Sequence, residues 1–462
     1  MTPARRSPRS ASFLKPNARV ARQQAKRVRS TDSAMCIACH IGLTMPLGQL
    51  ALTAPRHLDG QPASEQSFVA ARNHNNAGGW LHGVSGPSDR RYRYDPKELN
   101  MIDELLRPVT GPAAWRGEDL RSGDDWIYHL SDDERIELET VGARFLAEDP
   151  DLRFVQAEDY PLPITAAGLR VWEEAMEDKR GFILVRGLRS DLYSDALSAA
   201  IFFMLGLHIG DPMRQNELGD AFDHVRATTD KTVDDPTALG SRTTDKLGFH
   251  SDSSDVVALM CLRGSKSGGA SILISGATIY NELLRRRPDL APLLFEPWYW
   301  DWYKQDHDAP ETTYVSPMAC MVDGVFSIYA GSRMIRSAQD YPEVPRLTAA
   351  QLELLDELDA IFLTPGLPIE MDFRPGDMQW LLNYTALHSR TSYLDYQQPE
   401  KKRHLLRLWL KREGRPLVPG FGKNVVKGRA EDRDGAVPAE KTRFRISQIC
   451  YPRYDWGKDA AY

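Results

Sequence analysis

The chain has 462 residues, 42% hydrophobic, 26% charged and 9% aromatic, a composition that excludes collagenous and wholly disordered chains and fits a globular protein with a sizeable core. Five cysteines (Cys36, Cys39, Cys261, Cys320 and Cys450) are too few and too scattered for a disulfide framework, and no run nears the ~20 consecutive apolar residues of a membrane span. Net charge is −6, yet residues 1–30 hold nine basic groups and no acid, so the remainder is more acidic than the whole and poorly suited to gripping a nucleic-acid backbone.

Up to Tyr94 the sequence is rich in Arg, Ser, Pro, Gly and Asn and lacks hydrophobic periodicity, which predicts a disordered tail over 1–94. Its Arg-rich, acid-free start has the composition of a mitochondrial transit peptide, but shows no clear amphipathic stripe. A solvated tail or a misplaced start codon fits better, and the odd, scattered cysteines favour a reducing, cytoplasmic setting. Cys36-Ile-Ala-Cys39-His40 spells a haem-attachment motif, but nothing around it offers the apolar mass of a haem pocket, and no second ligand pair follows for zinc.

From Asp95 onward helix and strand signals alternate. Ser131-Asp-Asp-Glu134 is a capping box for a helix toward Leu146, and Thr165 opens another that Gly181 stops. Phe182–Arg186 is a short apolar strand, Ser194 starts an apolar helix to about Leu205, and Thr348-Ala-Ala-Gln351 caps a helix to Phe362. Further strands are predicted at Val256–Leu262, Ser271–Ser275, Gly324–Tyr329, Met378–Tyr384 and His404–Leu410. The expected fold class is α+β, helices flanking a β-sandwich or barrel over 95–420, followed by an extension over 421–462. Pocket-lining loops are expected at Arg214–Asp245 and Tyr299–Ile335.

Nucleotide-binding fingerprints and the G-x-S-x-G elbow are missing. His-x-Asp occurs twice, at His57-Leu-Asp59 and His250-Ser-Asp252, where chance alone gives about 0.7 matches. The first copy sits in the tail; the second runs straight into the apolar Val256–Leu262. Side chains two apart in extended chain share a face, so His250 and Asp252 can reach one cation. A 2-His-1-carboxylate site needs one more imidazole, from His307, His388 or His404. His307 lies between two aspartates in a surface-like loop, His404 points away from its strand's Arg403 face, and His388 directly follows a strand. A buried structural histidine remains the alternative for His388. In Lys401–Leu410, alternation sets Arg403, Leu405, Arg407 and Trp409 on one face, where two buried guanidiniums need anions, supplied by a ligand or by protein carboxylates.

The ordered set His250-x-Asp252, Gly268-Gly-Ala-Ser271, Phe373-Arg-Pro-Gly-Asp377, Asn383, His388-Ser-Arg390 and Arg403-x-x-x-Arg407 resembles the TauD/TfdA family of Fe(II)/2-oxoglutarate-dependent dioxygenases, from about Gly111 to about Pro419. The resemblance implies a double-stranded β-helix, or jelly-roll barrel. It implies that His250, Asp252 and His388 bind Fe(II), that Arg403 and Ser271 bind 2-oxoglutarate, and that Arg407 binds an acidic group of the substrate. It further implies O2-dependent hydroxylation of an unactivated C–H bond, or desaturation or ring closure, in a small carboxylate-bearing substrate such as an amino acid or a secondary-metabolism intermediate. The Asp252 carboxylate argues against halogenation. The alternative from a different class is a jelly-roll kept only for binding or sensing, with no need of an iron site.

Overall fold

The computed structural model describes residues 106–215, 220–235, 238–301, 311–422 and 443–450. The expectations for tail 1–94, among them those for Cys36, Cys39, His40, His57 and Asp59, and the reading of His307 lie outside the described residues.

In chain order the first half contains α1 (Gly117–Leu120), β1 (Ile127–His129), α2 (Asp132–Glu148), α3 (Ala166–Glu174), β2 (Phe182–Arg186), α4 (Asp195–Leu207), β3 (Asp211–Pro212), β4 (Asp223–Val225) and β5 (Leu247–His250). Then follow β6 (Val256–Arg263), β7 (Ser267–Gly268), β8 (Ser271–Ser275), α5 (Gly276–Arg286), β9 (Pro297–Asp301), β10 (Thr313–Pro317), β11 (Ala319–Val322), β12 (Val325–Ile328), α6 (Ser332–Ala338) and α7 (Ala349–Phe362). The last elements are β13 (Ile369–Met371), β14 (Met378–Leu382), β15 (Ala386–Arg390), β16 (Tyr393–Leu394), β17 (His404–Lys411) and α8 (Ile446–Cys450).

Two sheets carry the architecture. The larger runs β1-β2-β14-β6-β17-β3, with β4 also on β17, and the smaller runs β13-β8-β15-β5. Every pairing in them is antiparallel except β1 with β2. Strand alternation explains the layering. Val256, Ala258, Met260 and Leu262 of β6, Met378, Trp380 and Leu382 of β14, and Leu406, Leu408 and Leu410 of β17 join one apolar cluster with Leu138, Trp172 and Phe203 of the helices. The residues between them turn the other way. Val257, Leu381 and Trp409 pack with Leu273, Ala386 and Ile369 of the smaller sheet. Helices, large sheet and small sheet are thus three layers, and the two facing sheets are the jelly-roll sandwich expected for the chain.

Local signals account for the helix starts. The Ser131 hydroxyl accepts the Glu134 N–H (3.3 Å) while the Glu134 carboxylate accepts that of Ser131 (2.8 Å). The Thr348–Gln351 box repeats the device, and Ser194 accepts the Leu197 N–H (3.1 Å). Thr165 differs from expectation: its hydroxyl donates to Glu137 (2.7 Å) instead of capping, and the helix passes through a π turn at Ala175–Lys179 before Gly181 ends it at φ 83°. Within Tyr299–Ile335, where loops were expected around the strand Gly324–Tyr329, that strand is present as β12, and the segment also holds its hairpin partner β11, the hairpin β9/β10 and the start of α6. Helix α8 inserts Ile446 and Ile449 into the same cluster as α4, so part of the 421–462 extension belongs to the helical layer.

Candidate metal centre and active site

Between the two sheets lies a cavity of about 880 Å³, walled by the inward faces of β17, β15 and β8 and by the chain following β5. His388 on β15 pairs across the ladder with His250, the last residue of β5, and the two imidazole centroids are 4.3 Å apart. Asp252 follows two residues on, as period-2 geometry requires for a shared face. Its carboxylate lies 3.8 Å from His250 Nε2 and 3.7 Å from His388 Nε2, and one donor atom from each of the three residues falls within 4.8 Å of the others. These separations exceed hydrogen-bond length and suit donors each ~2 Å from a common ion.

The donors are held in place. His250 Nδ1 is 2.9 Å from the Gly248 carbonyl, which puts the proton on Nδ1 and leaves the Nε2 lone pair facing Asp252. Asn383, fully buried just after β14, accepts the Asp252 N–H (3.0 Å) and donates to the carbonyls of Asp252 and of Ser254 (2.8 Å). Asp252 Oδ2 accepts from Trp409 Nε1 (2.8 Å) and Arg407 Nη1 (3.3 Å). Burial alone would raise the Asp252 pKa, but Arg407, the two histidines and the Trp409 N–H outweigh it and pull it to about 2. Burial, reinforced by His250, lowers His388 to about 3, so its imidazole is neutral and able to donate a lone pair.

Deeper in the cavity Ser271 stands opposite Arg390 in the β8–β15 ladder, and its hydroxyl donates to Gln379 Oε1 (2.9 Å). Arg403 is 4% exposed; its Nη2 donates to the Gly269 carbonyl (3.2 Å), and Nη1 has no partner among the described residues. Burial lowers its pKa, the mark of a charge lacking compensation. Arg407 shares that strand face, as alternation predicts, but is already engaged. Nε donates to Gln215 (3.1 Å), Nη1 to Asp252, and Nη2 lies 3.7 Å from Asp223, itself paired with Arg242 (2.7 Å). Of the two anion sources left open for the arginine face, protein carboxylates serve Arg407, and none among the described residues is bonded to the Arg403 guanidinium. His404 turns to the opposite face, where it meets His224 (2.8 Å) and Arg263 (2.7 Å).

The motifs name Asn383 and Arg390 without a role, the alternation of β17 places Trp409 on the inward face without a partner, and Gln215, Asp223 and Gln379 carry no signal in the sequence. A lone Asn inside the apolar Trp380–Tyr384 was a readable signal of a satisfied buried polar group. Of the partners of Arg407, Gln215 and Asp223 lie far upstream in segments without pattern, and only Asp252 belongs to a readable motif.

Two imidazoles and one carboxylate at one end of a two-sheet jelly roll are the donor set of non-haem iron oxygenases. A sequence model of "Taurine catabolism dioxygenase TauD, TfdA family" matches residues 148–409, and the chain belongs to this family of Fe(II)/2-oxoglutarate-dependent dioxygenases. The chain is 28% identical over 329 residues to FR-33289 synthase of Streptomyces rubellomurinus, covering 69% of this chain and 95% of that protein. It is 28% identical over 344 residues to taurine hydroxylase-like protein SAT17 of Stachybotrys chartarum, covering 70% and 86%. A solved asparagine oxygenase bound to Fe(II), 3-hydroxyasparagine and succinate aligns with TM-score 0.49 at 18% identity, covering 62% of this chain and 93% of that one. Iron and 2-oxoglutarate are the cofactors of the class, and two features of the cavity fit them: the three-donor cluster, and a buried guanidinium nitrogen without an acceptor. No helix among the described residues is long and apolar enough to cross a membrane.

Proposed function

We propose that the enzyme oxidises an unactivated C–H bond of a small carboxylate-bearing substrate, such as an amino acid or a secondary-metabolism intermediate, by hydroxylation or by desaturation or ring closure. His250, Asp252 and His388 would hold Fe(II), and Arg403 with Ser271 would hold the distal carboxylate of 2-oxoglutarate. When bound, the metal would allow O2 to act as the oxidant both of 2-oxoglutarate, released as succinate and carbon dioxide, and of the substrate C–H bond. The protein contributes two imidazoles, of which burial keeps His388 neutral, and a carboxylate fixed by Trp409 and Arg407 on backbone held by Asn383. The observation that carries the reading is the convergence of three metal donors in the same cavity as a buried, unanswered arginine. Both curated relatives are named for a synthase or hydroxylase, which supports an oxidative role on small molecules.

Arg407, assigned to the substrate by resemblance, lies in the cavity wall, and a substrate carboxylate would reach it by taking over its contact with Asp223. We place the catalytic unit at residues 95–420, with 421–462 as an extension. The test is a screen of amino and other organic acids for substrate-dependent succinate release, followed by product mass. A gain of one oxygen marks hydroxylation and a loss of two hydrogens marks desaturation or ring closure. Failure of every carboxylate-bearing compound, with turnover on a neutral one, would overturn the substrate class.

A further inference from the structure

A second buried guanidinium lies near Arg403. Arg390 ends β15 two residues after His388, on the same face, and its ladder partner is Ser271. It is 4% exposed and lines the cavity. Its Nη2 donates to the main-chain carbonyls of Thr243 (3.0 Å) and Asp245, while Nε and Nη1 have no partner among the described residues. Both guanidinium carbons sit near the Tyr393 ring, 4.8 Å from its centroid for Arg390 and 5.1 Å for Arg403. Two carboxylates stand near this corner, Asp395 favouring the Arg403 charge and Asp245 that of Arg390, yet neither is bonded to a guanidinium among the described residues, and Asp395 Oδ2 has no partner there. Asp395 accepts the Arg403 main-chain N–H (2.8 Å) and Asp245 accepts that of Val233 (2.9 Å).

Two cations held together without a bonded carboxylate, each with donors to spare, are costly unless an anion completes them. Gln379 Nε2, whose amide oxygen is taken up by Ser271, is a further buried donor without an acceptor among the described residues.

We propose that Arg390 is a second anion-binding residue of the cosubstrate seat, taking the distal carboxylate of 2-oxoglutarate jointly with Arg403 and Ser271. The inference rests on the reading of Arg403 and Ser271 given above and adds a selective role. The paired guanidiniums discriminate a dicarboxylate 2-oxo acid from a monocarboxylate one, because only the former brings an anion to that corner. The rival is that Arg390 merely straps the segment Thr243–Asp245 to β15 through its two carbonyl contacts.

The two readings differ in what a substitution does to two ligands. Fe(II)-loaded, oxygen-free protein is titrated with 2-oxoglutarate and with 2-oxobutyrate, following the visible band of the 2-oxo acid chelate, without turnover. In Arg390→Gln the Kd for 2-oxoglutarate should rise about 10- to 100-fold, the loss expected for a charge-assisted hydrogen-bond partner, with 2-oxobutyrate unchanged. Arg390→Lys should recover part of the difference. An equal weakening of both ligands, or of neither, overturns the proposal. Arg403→Gln separates the layers: if it collapses the preference while Arg390→Gln does not, only the role of Arg390 falls; if neither moves it, the cosubstrate seat itself is misplaced. Should Arg390 variants not fold, wild-type crystals grown with 2-oxoglutarate decide the matter. Arg390 Nε or Nη1 within hydrogen-bond distance of the distal carboxylate is the expected result, and a separation beyond 4 Å overturns it.

Discussion

The two oxygens of Asp252 live in different surroundings. Oδ2 accepts from Trp409 and Arg407 and lies 3.7 Å from His388 Nε2, while Oδ1 is 3.8 Å from His250 Nε2. The two donors on Oδ2 fix the orientation of the carboxylate beside both imidazoles, so that it would be held ready as a metal ligand. Trp409→Phe keeps an aromatic ring of smaller volume in the inter-sheet cluster and removes the donor. Fe(II) affinity, read by competition with a chromogenic chelator, should fall about 10-fold while the apoprotein Tm hardly moves. Arg407→Leu leaves Asp223 and Asp252 without the cation they share. If the arginine serves the protein, Tm and iron affinity fall together; if it serves the substrate, only the primary-substrate KM rises. His250→Ala and His388→Ala should each abolish stoichiometric iron binding in a protein that still folds, since both rings face the cavity and neither belongs to the apolar clusters. Full iron content in both variants would remove the metal assignment.

Strand β17 shows how one element serves core and site at once. Leu406, Leu408 and Leu410 face the helices, and Arg403, Leu405, Arg407 and Trp409 face the cavity. Leu408 is fully buried, and its Cδ1 would lie 2.8 Å from a Cβ placed on Gly206, so α4 approaches the strand closely there. Leu408→Ala should cost about 2–5 kcal/mol in denaturant unfolding and leave iron stoichiometry intact below the transition. Loss of iron at unchanged stability would mean the two faces are not independent. This alternation was legible in the sequence because it is local, as were the capping boxes at Ser131 and Thr348. Helix α5 was not, because Ser275 both ends β8 and caps the helix, accepting the Thr278 N–H (3.0 Å), so strand reads straight into helix. Strand β12 was legible as Gly324–Tyr329, whereas β9, β10 and β11 escaped because they are four or five residues long, the first two bounded by Pro297 and Pro317, with pairing set by partners rather than periodicity. The iron donors were legible as ordered motifs; the clamp on Asp252 was not, since Trp409 and Arg407 reach it from more than 150 residues away.

At the scale of the molecule, residues 1–94 have a composition that cannot bury enough apolar surface to offset chain entropy. A chain starting at Asp95 should therefore keep its iron and turn over normally; loss of iron binding in it would mean that the tail contributes to the fold. The opposite terminus is tied in by a polar chain. A guanidinium only donates, so Arg263 at 2.7 Å fixes His404 Nδ1 as acceptor; His404 Nε2–H then donates to His224 Nδ1 (2.8 Å), and His224 Nε2–H points at the Ile449 carbonyl of α8 (3.3 Å). Both rings must be neutral for this order to hold. Burial lowers His224 to about 4, with Arg242 adding to it and Asp223 opposing, and drives His404 well below its ordinary range. In the unfolded chain each takes a proton near 6.5. Between about pH 6.5 and 4 the unfolded state therefore binds more protons, so stability is lost as pH falls through that window and is level above it. The Tm of metal-free protein should be flat above pH 7 and drop toward pH 4. His388 contributes to the same slope, which makes the comparison with a variant the decisive one. His224→Asn can still accept from His404 and donate to α8 but cannot be protonated, so its drop in Tm should be shallower. If its profile matched the wild-type profile in steepness, the histidine pair would not be the acid-sensitive tie between α8 and the helical layer.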